Sequence, residues 1–281
     1  MRPAITIHDD AADLLEAADA FLYADEPTYG LLLGIAAAAA RRDDEAASFL
    51  SMSSGTGIEA VCMRTPPWKC VVSRGRPEAM ARLAEALHAR DPKTPGVGGP
   101  DDAAQAFAEA WVARTGQPLT VGMRLRIHRL DEVNTISLPD GRMRPATADD
   151  RPRLNAWADS FAEHAGTDDP RAGADVIEGV LRDGEIYLWE DDGPRSMAAW
   201  VRPTRNGASI SLVYTPPEHR GRGYASGLVA GISQALLDRG RRFTTLFTDQ
   251  KNPTSNKIYA RIGYQAICDW RDLWFVERAG R

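Results

Sequence analysis

Two arginines and two glycines alternate over residues 220–223, inside the stretch HRGRGYASGLVAG that runs from 219 to 231. The residues before this stretch have the pattern of a strand, and the residues after it have the apolar content of a helix. A strand, a glycine turn and a helix together present backbone N–H groups and the positive end of the helix dipole. Glycine suits such a turn because a Cβ atom would keep an anion away from the backbone. These residue types therefore predict phosphate binding.

Three kinds of phosphate ligand use a turn of this sort. A nucleoside triphosphate requires GxxxxGK[ST], and no Lys-Ser or Lys-Thr pair follows here. A dinucleotide requires GxGxxG directly after a strand, but Ser226 stands at the third glycine and two prolines separate strand from turn. Asp249 follows the next strand as a ribose-binding acid would, so the dinucleotide stays open as an alternative.

The third kind of ligand follows from a longer pattern. Arg220, Gly223 and Ala225 have the form Q/R-x-x-G-x-G/A, and NPTSNKIYARIGY follows at 252–264 after one further strand. This pair of motifs resembles the GNAT family of N-acetyltransferases, by element order over 141–281 and by motif over 208–264. The segment VYTPPEHRGRGYAS also resembles a bacterial subgroup related to glycine N-acyltransferases. The resemblance implies acetyl-CoA as co-substrate, an amine as acceptor and no metal.

The resemblance also implies a role for each matching residue. Backbone groups of Val213, Tyr214 and Thr215 would pair with the pantetheine arm, and one N–H would polarise the thioester oxygen. Asn252 and Ser255 would face the same arm, although Asn252 also has the pattern of a helix cap. Tyr259 would be the general acid. The turn residues expected to hold the pyrophosphate are Arg220, Gly221, Arg222, Gly223, Tyr224, Ala225 and Ser226.

The general base and the acceptor amine are left open by the sequence. Base candidates are Glu218, His219, His164 and Asp249, and a water chain to a backbone carbonyl is an equal alternative. The amine is expected to be a small molecule or a peptide, in a cleft lined by Tyr187, Trp189 and Trp200. A non-catalytic acyl-CoA-binding sensor with the same fold is the alternative function.

Elements that would position these residues recur in both halves of the chain. Each half has helices first, then several strands, and then helix, strand, helix and strand, so an α/β (α+β) fold with a mixed sheet is predicted. We expect an N-terminal α/β domain at 1–135 and an acetyltransferase-like domain at 141–281, ending in closing strands up to 278. The first half reads SRGRPEAM where the second reads HRGRGYAS, which indicates a degenerate repeat without a ligand turn.

Composition limits the remaining function classes. The chain has 281 residues, a net charge of −5 and 43% hydrophobic residues, as is usual for a globular protein that binds neither nucleic acid nor anionic membranes. Its longest apolar run, at 31–40, is half the length of a membrane span. Three cysteines without a CxxC pair and an acidic start predict a reducing, cytoplasmic location. Oligomeric state is left open.

Overall fold

A computed structural model describes residues 3–42, 46–55, 57–165 and 171–276 of this chain. Its residues form two units, and each unit is built from more than one segment of the chain. Unit 1 contains 1–127, 249–251 and 267–281, and unit 2 contains 128–248 and 252–266. The elements of the first half are β1 (Ala4–His8), α1 (Ala11–Ala17), α2 (Asp19–Ala24), α3 (Glu26–Ala39), β2 (Ser48–Ser54), β3 (Gly57–Arg64), β4 (Cys70–Val72), α4 (Pro77–Arg90), β5 (Gly96–Pro100), α5 (Asp101–Thr115) and β6 (Leu119–Leu130).

The second half continues with a corresponding set of elements after the connector. They are β7 (Arg142–Pro145), α6 (Arg151–Ala165), α7 (Gly173–Asp183), β8 (Glu185–Glu190), β9 (Pro194–Val201), β10 (Gly207–Tyr214), α8 (Tyr224–Asp238), β11 (Phe243–Asp249), α9 (Pro253–Ile262) and β12 (Gln265–Phe275). Both halves thus have strand, helices, three strands, helix, strand, helix and strand. This confirms the predicted mixed α/β fold with a repeated order of elements.

The sheet of unit 1 begins with antiparallel strands and includes the end of the chain. Strands β1, β2, β3 and β4 follow one another, and β4 pairs with β5 in parallel, with Cys70 opposite Val97. Strand β12 lies antiparallel beside β5, where Trp270 faces Pro100 and Trp274 faces Gly96. Helices α4 and α5 cover one face of this sheet, and the fully buried side chains there include Leu50, Met80, Leu83, Phe107 and Trp111.

The closing strand differs from the sequence-based expectation. A single strand, Gln265–Phe275, replaces the predicted closing pair, and residues 277 and 278 of the predicted end lie outside the described residues. Its Phe275 ring stacks on Trp111 of α5 with the centroids 4.8 Å apart, so residues 267–275 belong to unit 1. Alternating apolar residues predict a strand but do not encode which sheet it joins.

The sheet of unit 2 has the strand order β11, β10, β9, β8, β7. Only β10 and β11 run parallel, and the other neighbours are antiparallel. One face carries α8 and α9 over a core that includes Trp189, Leu228, Ile232 and Ile262. A second core joins α6 and α7 to the sheet and includes Leu154, Ile177, Leu188, Leu212 and Tyr214.

Candidate functional site

Strand β10 separates from its parallel neighbour before it ends. Paired residues run from Gly207 opposite Phe243 to Ile210 opposite Leu246, and both strands continue beyond them. The register with β9 shifts between Ser211 and Tyr214, and Leu212 has a left-handed φ of 52°. A bulge of this kind bends the strand and disrupts its ladder. The backbone of residues 213–215 therefore lies at an opening between two strands, where an extended ligand can pair with it.

Two of the three predicted residues at this end of β10 are held by one buried serine. Ser196 of β9 donates its hydroxyl to the carbonyl oxygen of Tyr214 at 2.9 Å and accepts the hydroxyl of Thr215 at 2.9 Å. Val213 packs, partly buried, against the core below α8, whereas Tyr214 is buried in the core on the α6 face. Ser196 is fully buried. Nothing in its sequence context identifies this supporting role.

The glycine turn has the backbone geometry of an anion site. A one-turn 3₁₀ helix, Pro217–His219, precedes it, and Gly221 and Gly223 have left-handed φ angles of 78° and 85°. Gly223 is the N-cap of α8, and its carbonyl accepts the N–H of Gly227 at 2.9 Å. The N–H groups of residues 224–226 therefore precede the first complete helical hydrogen bond and are available to a ligand. A Cβ atom built on Gly221 would meet nothing within 4 Å, so the turn faces open space.

Positive charge accumulates at this turn without neutralisation. Arg220 and Arg222 are both exposed, and neither forms an ion pair within the part of the chain that the structure describes. The Nε atom of Arg220 donates to the carbonyl oxygen of Thr215 at 3.0 Å, which places its guanidinium between the strand end and the turn. Together with the α8 dipole, these arginines make the turn attractive to a phosphate.

The corresponding turn of unit 1 lacks these properties. Arg74 pairs with Asp25 at 3.3 Å and Arg76 pairs with Glu59 at 2.8 Å, so both arginines are neutralised. A Cβ atom on Gly75 would lie 2.4 Å from the Met80 Cε atom, which fills the space beside the turn. Pro77 is the first residue of α4 and has no N–H to donate. These contacts give a physical basis for the expected loss of the first ligand turn.

Helix α9 begins with the cap that the Asn-Pro pair predicts. The Asn252 Oδ1 atom accepts the N–H of Ser255 at 3.0 Å, and Pro253 is the first helical residue. Asn252 is exposed and Ser255 is half-buried. The amide nitrogen of Asn252 has no partner among the described residues and stays available to a ligand.

Tyr259 projects from α9 with an unsatisfied hydroxyl. The residue is 9% exposed, and within the described ranges its hydroxyl has no hydrogen-bond partner. Burial raises the pKa of Tyr259 well above the usual tyrosine value, and the neighbouring Tyr264 adds to the effect. The phenol is protonated at neutral pH, as any tyrosine is, and burial makes it a weaker acid than an exposed tyrosine.

Its neighbour Tyr264 has the opposite character, although the two rings meet edge to face at 5.9 Å. The Tyr264 hydroxyl lies 2.8 Å from both the Ser233 and the Thr244 hydroxyl oxygens. Burial raises the pKa of Tyr264 to about 12. These two hydrogen bonds identify Tyr264 as a structural residue. Of the two rings, Tyr259 is the one whose hydroxyl has no partner among the described residues.

Among the four base candidates, His164 has the most suitable surroundings. It is exposed near the end of α6, its ring lies 5.9 Å from the Tyr214 ring, and its Nδ1 atom donates to the Ser160 carbonyl oxygen at 2.7 Å. In the neutral ring that bond leaves the lone pair on Nε2. His219 differs because its Nε2 atom contacts Arg195 and its Nδ1 atom is buried.

The other two base candidates have less suitable surroundings. Glu218 is exposed in the 3₁₀ helix, where no element directs it to the strand end. Asp249 accepts the N–H of Lys251 at 2.9 Å and belongs to unit 1.

The three aromatic residues expected to line an amine cleft pack instead. Tyr187 and Trp189 are each 4% exposed in the core below α8. The Trp189 indole N–H donates to the Asp140 carbonyl oxygen at 2.8 Å, and both Tyr187 and Trp200 donate to Glu185. The expectation of a cleft is therefore wrong for Tyr187 and Trp189, because the face of β8 that carries them is covered by a helix.

A Ser–His–Asp arrangement in unit 1 escaped the sequence analysis. His8 contacts the Ser51 hydroxyl oxygen at 2.8 Å and the Asp13 carboxylate at 3.1 Å. Those contacts have the connectivity of a hydrolytic triad, but Ser51 is 2% exposed in a strand that is paired on both sides. A substrate carbonyl has no access to this serine, so the arrangement is structural.

The described residues contain no group of three His, Cys, Asp or Glu residues that could hold a metal ion. Within the same ranges, every helix is too short or too polar to cross a bilayer.

Comparisons with known proteins point to one family. The model of the FR47-like protein family matches residues 188–275, which include the residues predicted to bind the co-substrate and Tyr259. A GCN5-related N-acetyltransferase from Kribbella flavida is 19% identical over 78% of this chain and 87% of its own, with a TM-score of 0.57. A comparison with curated proteins found no match.

Two further structures extend the similarity to the whole chain. A tandem GNAT protein from the clavulanic acid biosynthesis pathway is 14% identical, with a TM-score of 0.59 over 98% of each chain. A Drosophila protein is 15% identical, with a TM-score of 0.65 over 98% of each chain. These similarities show that the fold is the GNAT fold and that the N-terminal half shares it. Residues 188–275 are thus similar to the FR47-like protein family, and the fold is that of GNAT N-acetyltransferases.

Proposed function

We propose that this protein transfers an acetyl group from acetyl-CoA to an amine by direct attack within a ternary complex. The observation that carries the proposal is the end of β10, which is unpaired on the β11 side and leads within a few residues into a left-handed glycine turn whose two arginines form no ion pair with the described residues. An extended, amide-bearing arm joined to a pyrophosphate matches both parts. The strand end alone or the glycine turn alone has an ordinary structural explanation. The strand end followed directly by the turn is specific for such a ligand.

Binding in this proposal uses backbone groups more than side chains. Amides of the turn and of the first turn of α8 hold the pyrophosphate, with Arg220 and Arg222 supplying charge. The backbone of Val213, Tyr214 and Thr215 pairs with the pantetheine arm, and an N–H there polarises the thioester oxygen. Asn252 and Ser255 face the arm from α9. No metal is required, and the acceptor is a small-molecule or peptide amine.

The chemistry requires one base and one acid. The amine nitrogen attacks the thioester carbon and forms a tetrahedral intermediate, and the base accepts the proton that the nitrogen then loses. Collapse of the intermediate breaks the carbon–sulfur bond and expels the CoA thiolate. The Tyr259 hydroxyl donates its proton to that sulfur, and the phenolate regains a proton from solvent while the base releases the one that it accepted. The products are an N-acetylated amine and CoA.

We assign the base to His164 because its anchored Nδ1 atom leaves Nε2 to accept a proton beside the β10 end. His164→Gln should lower turnover about 100-fold or more, since general base catalysis is typically worth 10²–10⁴. The measurement is release of CoA thiol with a panel of amines. Ser160→Ala is the matched control, because His164 bonds its backbone oxygen and the variant should keep wild-type turnover. If His164→Gln and wild type have equal turnover, His164 is not the base, and a water chain to a backbone carbonyl is the alternative.

The identity of the co-substrate is tested by ligand-dependent stability. A ligand that binds only the folded state stabilises it by about 2.7 kcal/mol at one hundred times its dissociation constant. We expect acetyl-CoA to raise the melting temperature and NADH and ATP to leave it unchanged. Stabilisation by NADH alone would favour a dinucleotide site. Stabilisation by acetyl-CoA, without turnover of any amine, would favour a sensor of acyl-CoA.

We also propose a cytoplasmic location. All three cysteines are free and buried, and buried thiols of this kind are usual in proteins of a reducing compartment.

A further inference from the structure

We propose that Arg195 is a positioning residue that holds the glycine turn of unit 2 in its ligand-binding shape; this inference rests on the proposed function. Arg195 is the second residue of β9, directly after the Asp191–Gly193 hairpin loop, and it is half-buried. It touches none of the backbone groups assigned to the ligand. Its effect on binding would therefore pass through the residues that it holds.

The guanidinium of Arg195 joins the backbone of the Asp191–Gly193 loop to the side chain of His219. Its Nε atom donates to the Asp191 carbonyl oxygen at 2.5 Å, and its NH2 atom donates to the Asp192 carbonyl oxygen at 2.9 Å. Its NH1 atom contacts His219 Nε2 at 3.3 Å, where the imidazole nitrogen must accept because arginine only donates. His219 is the last residue before Arg220. Arg195 thus fixes the residue from which the chain enters the turn.

The same hairpin also fixes the residue at which the chain leaves the turn. Tyr224 is the first residue of α8, and its hydroxyl donates to the Asp191 carboxylate. Asp191 therefore binds Arg195 through its carbonyl oxygen and Tyr224 through its side chain. Residues 220–223, with their two left-handed glycines, are attached at both ends to one hairpin.

Such attachment has a direct consequence for ligand binding. Glycine gains more backbone freedom than any other residue when its surroundings are loosened. A turn that must be ordered as the ligand binds loses affinity relative to one that is already ordered. Removing the Arg195 guanidinium should therefore weaken every ligand that carries a pyrophosphate, whatever the rest of that ligand contains.

The test compares the affinities of CoA and dephospho-CoA by calorimetry. We expect Arg195→Gln to weaken both ligands about 10-fold or more, and Tyr224→Phe to weaken both to a smaller extent. Arg239→Gln is the matched control, because Arg239 also bonds a carboxylate and a hydroxyl, of Glu185 and Tyr187, but lies beyond the other end of α8. It should leave both affinities within twofold of wild type, and the melting temperature of each unliganded variant monitors general destabilisation.

Each outcome has a distinct meaning. Failure of wild-type protein to bind CoA would overturn the proposed function. Normal CoA affinity in Arg195→Gln would overturn only the inference, as would a loss confined to CoA, which would mean that Arg195 contacts the 3′-phosphate directly. If Arg195→Gln does not fold, Tyr224→Phe decides, because it removes the one oxygen by which α8 binds the same hairpin and keeps the ring. Unchanged affinity in that folded variant would then contradict the inference.

Discussion

Replacing Tyr259 by phenylalanine is expected to lower turnover about 100- to 10,000-fold, the usual range for loss of a general acid, with acetyl-CoA affinity nearly unchanged. The variant removes one oxygen and keeps the ring against Tyr264. Its hydroxyl has no partner among the described residues, so removing it breaks no internal hydrogen bond. Steady-state release of CoA thiol, with chemistry shown to limit the rate, is the measurement.

Tyr264→Phe provides the control and should have the reverse effect. Its hydroxyl bonds both Ser233 and Thr244, so its removal leaves buried hydroxyls unsatisfied and should cost about 1–3 kcal/mol of unfolding free energy. Turnover at a temperature where the variant is folded should stay near wild type. If Tyr259→Phe is destabilised and active, as expected for Tyr264→Phe, the hydroxyl of Tyr259 has a structural role and not a chemical one.

The second large effect is expected from Gly223→Val. Valine there requires a left-handed φ near 85° and adds carbon atoms beside the amides proposed to bind pyrophosphate. Loss of those charge-assisted contacts should weaken acetyl-CoA binding about 100-fold or more. The protein itself offers little obstruction, because the nearest atom to the new Cβ is in Pro139, at 3.9 Å.

Gly240→Val separates strain from ligand contact. Gly240 has a φ of 90°, follows the opposite end of α8 and would also place its Cβ in open space. Both variants should therefore lose similar stability, on the order of 1–2 kcal/mol for a left-handed L-residue. Only Gly223→Val should lose affinity for acetyl-CoA in calorimetry. If both folded variants bind acetyl-CoA with near-normal affinity, the glycine turn has only a structural role.

The parts of the site that follow from local chemistry could be predicted from the sequence. The glycine turn before α8 and Asn252 as the cap of α9 both depend on a few neighbouring residues. The mixed α/β order was predictable for the same reason, since strand and helix periods are local. The roles of the site residues toward a ligand stay predictions.

Other features depend on contacts between distant residues and left no local signal. Ser196 supports the β10 end from a neighbouring strand, and Arg195 reaches His219 across 24 positions of sequence. The burial of Trp189 was missed because a tryptophan in a strand gives no indication of which face a helix will cover. These three features depend on which residues the fold brings into contact, and residue types alone do not encode that.

The position of β12 has a consequence for biosynthesis. In unit 1 this strand lies between β5 and β6, yet its residues 267–275 are translated only after all of unit 2. The edges of the two flanking strands that β12 covers therefore emerge from the ribosome unpaired and stay so until residues 267–275 have been synthesised. Unit 1 thus completes its sheet only after unit 2 has been translated, and a nascent chain interrupted before residue 267 exposes edges that favour aggregation.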